Sequence, residues 1–258
     1  MSSTWFRKDI RKGMETLIQT TACCKTDPGL RRSCNEDTCL VHNEGGYFLV
    51  ADGIGGAAAG EIASAIFAKT AAEIFSSSSS RTSEETLQLV KDCFLTANSR
   101  ILTDIATTPT HAGMGCTAEL LVLHANGFVL GHIGDSRTYR LRQTILTQLT
   151  KDHSLVQQQI DQGLISQEQA RTHPMKNVIL RAVGINEQLA IDIIQGQVFS
   201  GDLFLLCSDG LSDMVEDNRI EEVLSTEEPL TEKAARLVDL ANSAGGRDNI
   251  SVALIEAR

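Results

Sequence analysis

The chain has 258 residues, 42% of them hydrophobic, and its 23 Lys and Arg against 33 Asp and Glu give a formal charge of -10. This is a globular composition with enough apolar residues for a sizeable core, and the negative charge disfavours nonspecific binding to nucleic acid or an anionic membrane. No window reaches the apolar length of a transmembrane helix, and the seven cysteines form no Cys-x-x-Cys pair, a pattern of reduced thiols in a cytoplasmic protein rather than a disulfide framework or a zinc site.

Residues 1–14 carry Arg7, Lys8, Arg11 and Lys12 without the apolar core and cleavage site of a signal peptide, so 1–20 read as a short basic leader before one domain over 21–258. A strand over 21–26 and a turn at Asp27-Pro28-Gly29 precede Arg31-Arg32-Ser33-Cys34-Asn35-Glu36-Asp37, which leads into a second strand through Val41. Two acids close behind two arginines read in isolation as a solvated turn. As a site, Glu36 and Asp37 would face a metal and Arg32 would grip a phosphate, to which a guanidinium is suited. The apolar run 47–51 predicts a buried strand, and it stops on Asp52, followed by Gly53, Gly55 and Gly56. The strand fixes the carboxylate, and the glycines let backbone groups approach whatever it holds. Mg2+ or Mn2+ favours such oxygen donors, although a lone Asp-Gly is more often a hairpin turn.

The 61–75 segment has helical apolar spacing, and a serine run, 76–80, forms a loop whose Thr82 or Ser83 can cap a helix over 84–105. His111 falls in a polar loop and reads as a surface residue. Gly115-Cys116-Thr117 opens a strand over 118–123, which turns at Ala125-Asn126-Gly127 into 128–133. That strand also ends on an acid, in Gly134-Asp135-Ser136-Arg137, and 138–141 runs away from it. Asp152-His153-Ser154 introduces a polar, Gln-rich stretch to about 178, with short helices to about Gln162 and over 166–171, which reads as a helical flap beside the sheet. Residues 178–184 bring the chain back as a strand, and 202–210 form another buried strand ending in Asp209-Gly210. Helices at about 217–224 and 230–243 precede Asp248-Asn249 and a last strand over 250–256. Turns could account for each acid separately, but Asp52, Asp135, Asp209 and Asp248 all abut buried strands, which favours a carboxylate-lined metal site.

With these strings in hand, the chain resembles the metal-dependent Ser/Thr protein phosphatases of the 2C type in their compact bacterial form. The resemblance runs in order from about residue 21 to the end through Arg32-x-x-Asn35-Glu36-Asp37, Asp52-Gly53-x-Gly55-Gly56, Gly115-x-Thr117, Gly134-Asp135-Ser136-Arg137, Asp152-His153-Ser154, Arg181-Ala182-x-Gly184, Ser208-Asp209-Gly210 and Asp248-Asn249. It implies an α+β, four-layer α-β-β-α sandwich of two antiparallel sheets flanked by helices, with the acids meeting at one end around two Mn2+ or Mg2+ ions. On that likeness Asp52 bridges the ions, Asp209 and Asp248 bind the first, and the Gly53 carbonyl with Glu36 serves the second. Asp37 orients a metal-activated water, Arg32 binds the phosphoryl group, and Asp135 with Asp209 resembles the ligands of a looser third metal.

The implied chemistry is hydrolysis of phosphoserine and phosphothreonine in proteins, without a phosphoenzyme, reversing a Ser/Thr kinase in bacterial signalling. The expected partners are phosphorylated proteins, among them a cognate kinase or its targets, and the chain is expected to be a monomer that binds no nucleic acid. The flap, opened by Asp152, His153 and Ser154, is the candidate for substrate selection. Ile54 stands where eukaryotic relatives often carry a histidine that can act as general acid, Ala57 where bacterial ones often have histidine, and Cys116 where Thr is usual. Two other readings share the acids. One is a catalytically silent scaffold of the same fold, which loss of metal acids would mark; the other is a hydrolase of small phosphoesters or nucleic acid, of which the net charge opposes only the nucleic-acid case.

Overall fold

The structure is a computed structural model and describes residues 18–55, 59–76, 81–125 and 127–258. Most of the basic leader, Gly56 and Ala57 of the glycine loop, most of the serine run, and Asn126 of the expected hairpin lie outside the described residues.

Two five-stranded antiparallel sheets face each other. One has the order β1 (Thr20–Asp27), β12 (Ile250–Ala257), β11 (Leu203–Cys207), β8 (Arg137–Arg142), β9 (Ile145–Gln148). The other runs β10 (Asp192–Gly196), β7 (Gly127–Ile133), β6 (Ala118–His124), β3 (Tyr47–Ala51), β2 (Thr38–His42). Helices α1 (Gly60–Ile74) and α2 (Ser83–Thr107) cover the second sheet, and α5 (Asp209–Ser212), α6 (Asp217–Leu224) and α7 (Leu230–Ser243) cover the first. This is the expected α-β-β-α arrangement.

The central strands read as unbroken apolar runs because both of their faces are buried. In β3, Tyr47, Leu49 and Ala51 meet the helices while Phe48 and Val50 point between the sheets. In β11, Leu203, Leu205 and Cys207 meet the other helical layer while Phe204 and Leu206 point inward. The inter-sheet core thus joins Phe48, Leu121, Phe128, Leu130, Phe204 and Ile255. Helix α2 starts on a capping box, in which Thr82 accepts from the Glu85 N–H and Glu85 reaches back to the Thr82 N–H.

The flap consists of α3 (Leu155–Asp161), capped by Ser154, and α4 (Gln167–Arg171), capped by Ser166. The expected strand over 178–184 does not form. Only Ile179 and Val183 make isolated bridges, to Ser154 and Cys116, and β10 takes the sheet edge beside β7 instead. The 178–184 segment pairs with two separate short stretches, 153–155 through Val178 and Leu180 and Cys116 through Val183, and neither continues into a ladder. Gly115–Cys116 do not open β6; they form a short strand, β5, that pairs with β4 (Gly53–Ile54) apart from the main sheets. Strands β9 and β10, which the sequence pattern did not predict, are edge strands of mixed polarity. The β8–β9 turn places Gln143 (φ 50) and Thr144 (φ 67) in the left-handed region without the Asn-Gly signature that usually announces such a hairpin.

Candidate metal centre

Topology groups the acids within each sheet, and the Ser208–Asp37 hydrogen bond brings the two groups to one end of the sandwich. Strands β3 and β7 both run antiparallel to β6 between them, so their C-terminal ends, carrying Asp52 and Asp135, lie on the same side. In the other sheet β11 and β12 are antiparallel, so the end of β11, with Asp209, sits beside the start of β12, with Asp248. The carboxylates feel one another: the charges of Asp37, Asp209, Asp135 and Asp248 all act on Asp52.

Asp52 is held through its backbone. Thr117 N–H donates to the Asp52 carbonyl at 2.9 Å, and the Asp52 N–H donates to Thr117 Oγ1 at 3.1 Å. Thr117 Oγ1 is also 2.7 Å from Ser136 Oγ, which ties the Asp52 loop to the residue after Asp135. Gly53 follows in a space no side chain could share, since a Cβ there would stand 2.3 Å from the Gly60 carbonyl oxygen and 2.6 Å from that of Glu36. Gly134 turns the chain at the end of β7 with φ +111, a conformation costly for any other residue, and so sets the exit of Asp135.

On the opposite sheet Ser208 stands at the N-cap of the helical turn that Asp209 begins, so Asp209 opens α5 rather than a simple turn. Ser208 Oγ donates to Asp37 Oδ2 at 2.8 Å. Asn249 organises the first acidic loop: its Oδ1 accepts the Glu36 N–H at 2.8 Å, and its Nδ2 donates to the carbonyls of Pro28 at 3.0 Å and Cys34 at 2.9 Å. Asp248 accepts from Arg32 Nη2 at 2.7 Å, and the Arg32 side chain remains half exposed at 51%.

Burial dominates the electrostatics. It pushes the carboxyl groups of Asp52 and Asp209 well above the usual carboxylate range, and their acidic neighbours push the same way. Asp37 is raised to about 6 by burial, against hydrogen bonds from Ser251 and Ser208 that favour its anion. Asp135 is raised to about 7 by burial and by the fields of Asp152 and Asp213. Glu36 is raised by burial, and Arg32 opposes the shift.

Among the described residues no three His, Cys, Asp or Glu side chains are grouped so as to hold a metal ion as they stand. The donor set nevertheless fits a hard divalent cation. Asp37 Oδ1, Asp135 Oδ1 and Asp209 Oδ1 are buried without a hydrogen-bond partner. Three orphaned carboxylate oxygens at one end of the sandwich, with raised proton affinity, are in the state that a bound cation relieves.

Two acids outside the expected set belong to the same neighbourhood. Asp213, one helical turn after Asp209, acts on both Asp135 and Asp209; the i, i+4 spacing of Asp209 and Asp213 was its sequence signal. Glu61, in the first turn of α1, acts on Glu36. Asp213 pairs with Lys176 of the flap. It also lines a cavity of about 140 Å³ between Asp135, Asp209 and the flap residues Val156, Ile160 and Ala170.

The three residues that open the flap are engaged within the protein. Asp152 takes a two-point contact from Arg137, Nε to Oδ1 at 2.9 Å and Nη2 to Oδ2 at 2.7 Å. His153 is buried, accepts the Gly134 N–H on Nδ1 at 3.1 Å and lies beside His132 with ring centres 4.6 Å apart. Ser154 caps α3. They fasten the base of the flap to the loop that carries Asp135, while Leu164, Met175 and Val178 provide its exposed apolar surface.

Against known proteins, the family model for protein phosphatase 2C matches residues 31–254. The serine/threonine phosphatase stp of Listeria monocytogenes is 36% identical over 242 residues, 90% of this chain and 94% of that protein. The crystal structure of the Mycobacterium tuberculosis serine/threonine phosphatase PstP superposes with a TM-score of 0.87 at 36% identity, covering 93% of this chain and 99% of that one. A structure of the catalytic domain of PstP in complex with 2 manganese ions gives 0.84 at 35% identity, over 93% of this chain and 99% of that one.

Proposed function

This chain belongs to the protein phosphatase 2C family, and on that premise we propose that it hydrolyses phosphoserine and phosphothreonine in proteins at the carboxylate end of its sandwich. The observation that carries the reading is the set of buried, unpartnered oxygens on Asp37, Asp135 and Asp209. Asp52, the Gly53 carbonyl, Asp209, Asp248 and Glu36 would hold two Mn2+ or Mg2+ ions, and Asp135 with Asp209 a third. When bound, the cations supply Lewis-acid activation of a water and neutralise phosphoryl charge.

The chain's own residues do the rest. Asp37 has Oδ2 fixed by Ser208 and Oδ1 free, and its proton affinity near neutrality suits it to orient the attacking water and take its proton. Arg32 commits one nitrogen to Asp248 and keeps the remainder of its guanidinium for the phosphoryl oxygens. Asn249 keeps Glu36 and Asp37 in register with Asp248. Ile54 offers no proton to the leaving alkoxide.

Residues 21–258 act as one catalytic domain, the substrates are a cognate Ser/Thr kinase or its targets, and the flap selects among them. The protein works as a cytoplasmic monomer. Its cysteines are all free, and among the described residues no helix is long and apolar enough to cross a membrane.

The test is phosphate release from a phosphothreonine peptide, with and without Mn2+, by the natural chain and by Asp209→Asn. Metal-dependent release that collapses in the variant is the expected result. No release with any divalent metal would replace this reading with that of a silent scaffold. Unchanged preference among phosphoproteins after deletion of 155–175 would remove the flap from substrate selection.

A further inference from the structure

Strands β1 and β2 are the outermost strands of their respective sheets and stand side by side at the same open edge of the sandwich. Strand alternation decides which of their cysteines meet. Ala22 of β1 points between the sheets, so Cys24, two residues on, points the same way, whereas Cys23 packs on the opposite face among the residues under α7. Cys39 of β2 lies in the inter-sheet cluster. The Cys24 thiol donates to the Cys39 carbonyl at 3.8 Å, and the Cys39 thiol donates to the Val252 carbonyl at 3.5 Å. Cys24 is exposed to solvent and Cys39 is partly buried, so an attacking thiol open to small oxidants stands against a resolving thiol held behind it.

We propose that Cys24 and Cys39 form a hydroperoxide-sensitive thiol pair that closes to a disulfide across the edge of the sandwich. The two cysteines bracket the segment that carries Arg32, Glu36 and Asp37, so the bond turns that segment into a covalent ring between the two sheets. In the first step the Cys24 thiolate attacks one oxygen of hydrogen peroxide; the O–O bond breaks, the leaving hydroxide takes a proton to become water, and Cys24 becomes a sulfenic acid. In the second, the Cys39 sulfur attacks the Cys24 sulfur; the S–S bond forms, the S–O bond breaks, and the hydroxide leaves with the Cys39 proton as a second water. Two thiols lose two electrons and one peroxide gains them. The reactivity needed at the first step agrees with the local chemistry: the Cys39 side chain, as hydrogen-bond partner of the Cys24 thiolate, lowers Cys24 to about 7, the same interaction and burial hold Cys39 as a thiol, and burial pushes Cys23 up to about 11.

The experiment treats the full chain, held in chelator, with hydrogen peroxide, then counts free thiols after denaturation and maps disulfides by mass spectrometry of a non-reducing digest. The expected result is loss of two of the seven thiols, a Cys24–Cys39 cross-linked peptide, and return of both thiols with dithiothreitol. In Cys39→Ser, peroxide is expected to leave a sulfenic acid at Cys24 that dimedone traps, and in Cys24→Ser that adduct disappears. Retention of all thiols in the natural chain, or a cross-link joining any other pair or two chains, overturns the proposal. Disulfide mapping of the natural chain decides between these outcomes even if a variant fails to fold, and none of the readouts depends on phosphatase activity.

Discussion

Thr117→Val keeps side-chain volume and removes one oxygen. That oxygen accepts the Asp52 N–H at 3.1 Å and bonds Ser136 Oγ at 2.7 Å, at a residue with no exposed surface. Each buried group left without a partner costs about 1–3 kcal/mol, so two give about 2–4 kcal/mol once the Ser136 hydroxyl is allowed to turn elsewhere. For a urea slope of about 2–3 kcal/mol per molar, the unfolding midpoint of the metal-free protein should fall by about 1 M. The same oxygen joins the loop of Asp52 to that of Asp135, so Mn2+ affinity by titration calorimetry should fall as well, by about 10-fold to 100-fold, as for other supports of a ligand. Refutation would be an unfolding midpoint within error of the natural chain together with unchanged Mn2+ affinity, for then the Thr117 bridge would neither stabilise the fold nor hold Asp52.

Three further outcomes follow from the acids and the close approach at Gly53. Asp135 is raised from 3.8 to about 7 by burial, so its ionisation opposes folding: the penalty is absent below about pH 4, grows with rising pH and is complete above about 7. Asp135→Asn should therefore stabilise the chelator-treated protein at pH 8 by at least about 1 kcal/mol, with the gain vanishing near pH 4, as read by thermal unfolding across pH. Because Asp37 and Asp135 hold protons near neutrality, Mn2+ binding at pH 6 should release protons, seen as a dependence of calorimetric heat on buffer ionisation enthalpy; equal heats in all buffers would contradict this. Gly53→Ala would push a Cβ against the carbonyls of Gly60 and Glu36, and overpacking of this kind costs about 1–3 kcal/mol; denaturant unfolding measures it, and Mn2+ affinity should drop because the Glu36 loop must move.

The buried strands and the acids that follow them were legible in the residue pattern, whereas the four layers followed from the family resemblance. Strands buried on both faces leave continuous apolar runs such as 47–51 and 203–207, and an acid placed directly after such a run has little freedom in where it goes. Helices α6 and α7 were legible to the residue because their apolar spacing is regular. Apart from the β6–β7 hairpin, strand pairing was not legible in the chain. Edge strands β9 and β10 are only partly buried, so their composition is mixed, and the turn before β9 uses residues that do not advertise it. Thr117, Asn249 and Asp213 acquire their roles from partners far along the chain. Asp152, His153 and Ser154 look like a surface motif until Arg137 and Gly134 are brought to meet them. Local pattern records how a residue lies relative to its own strand or helix; which distant residue it meets is fixed when the two sheets close on each other.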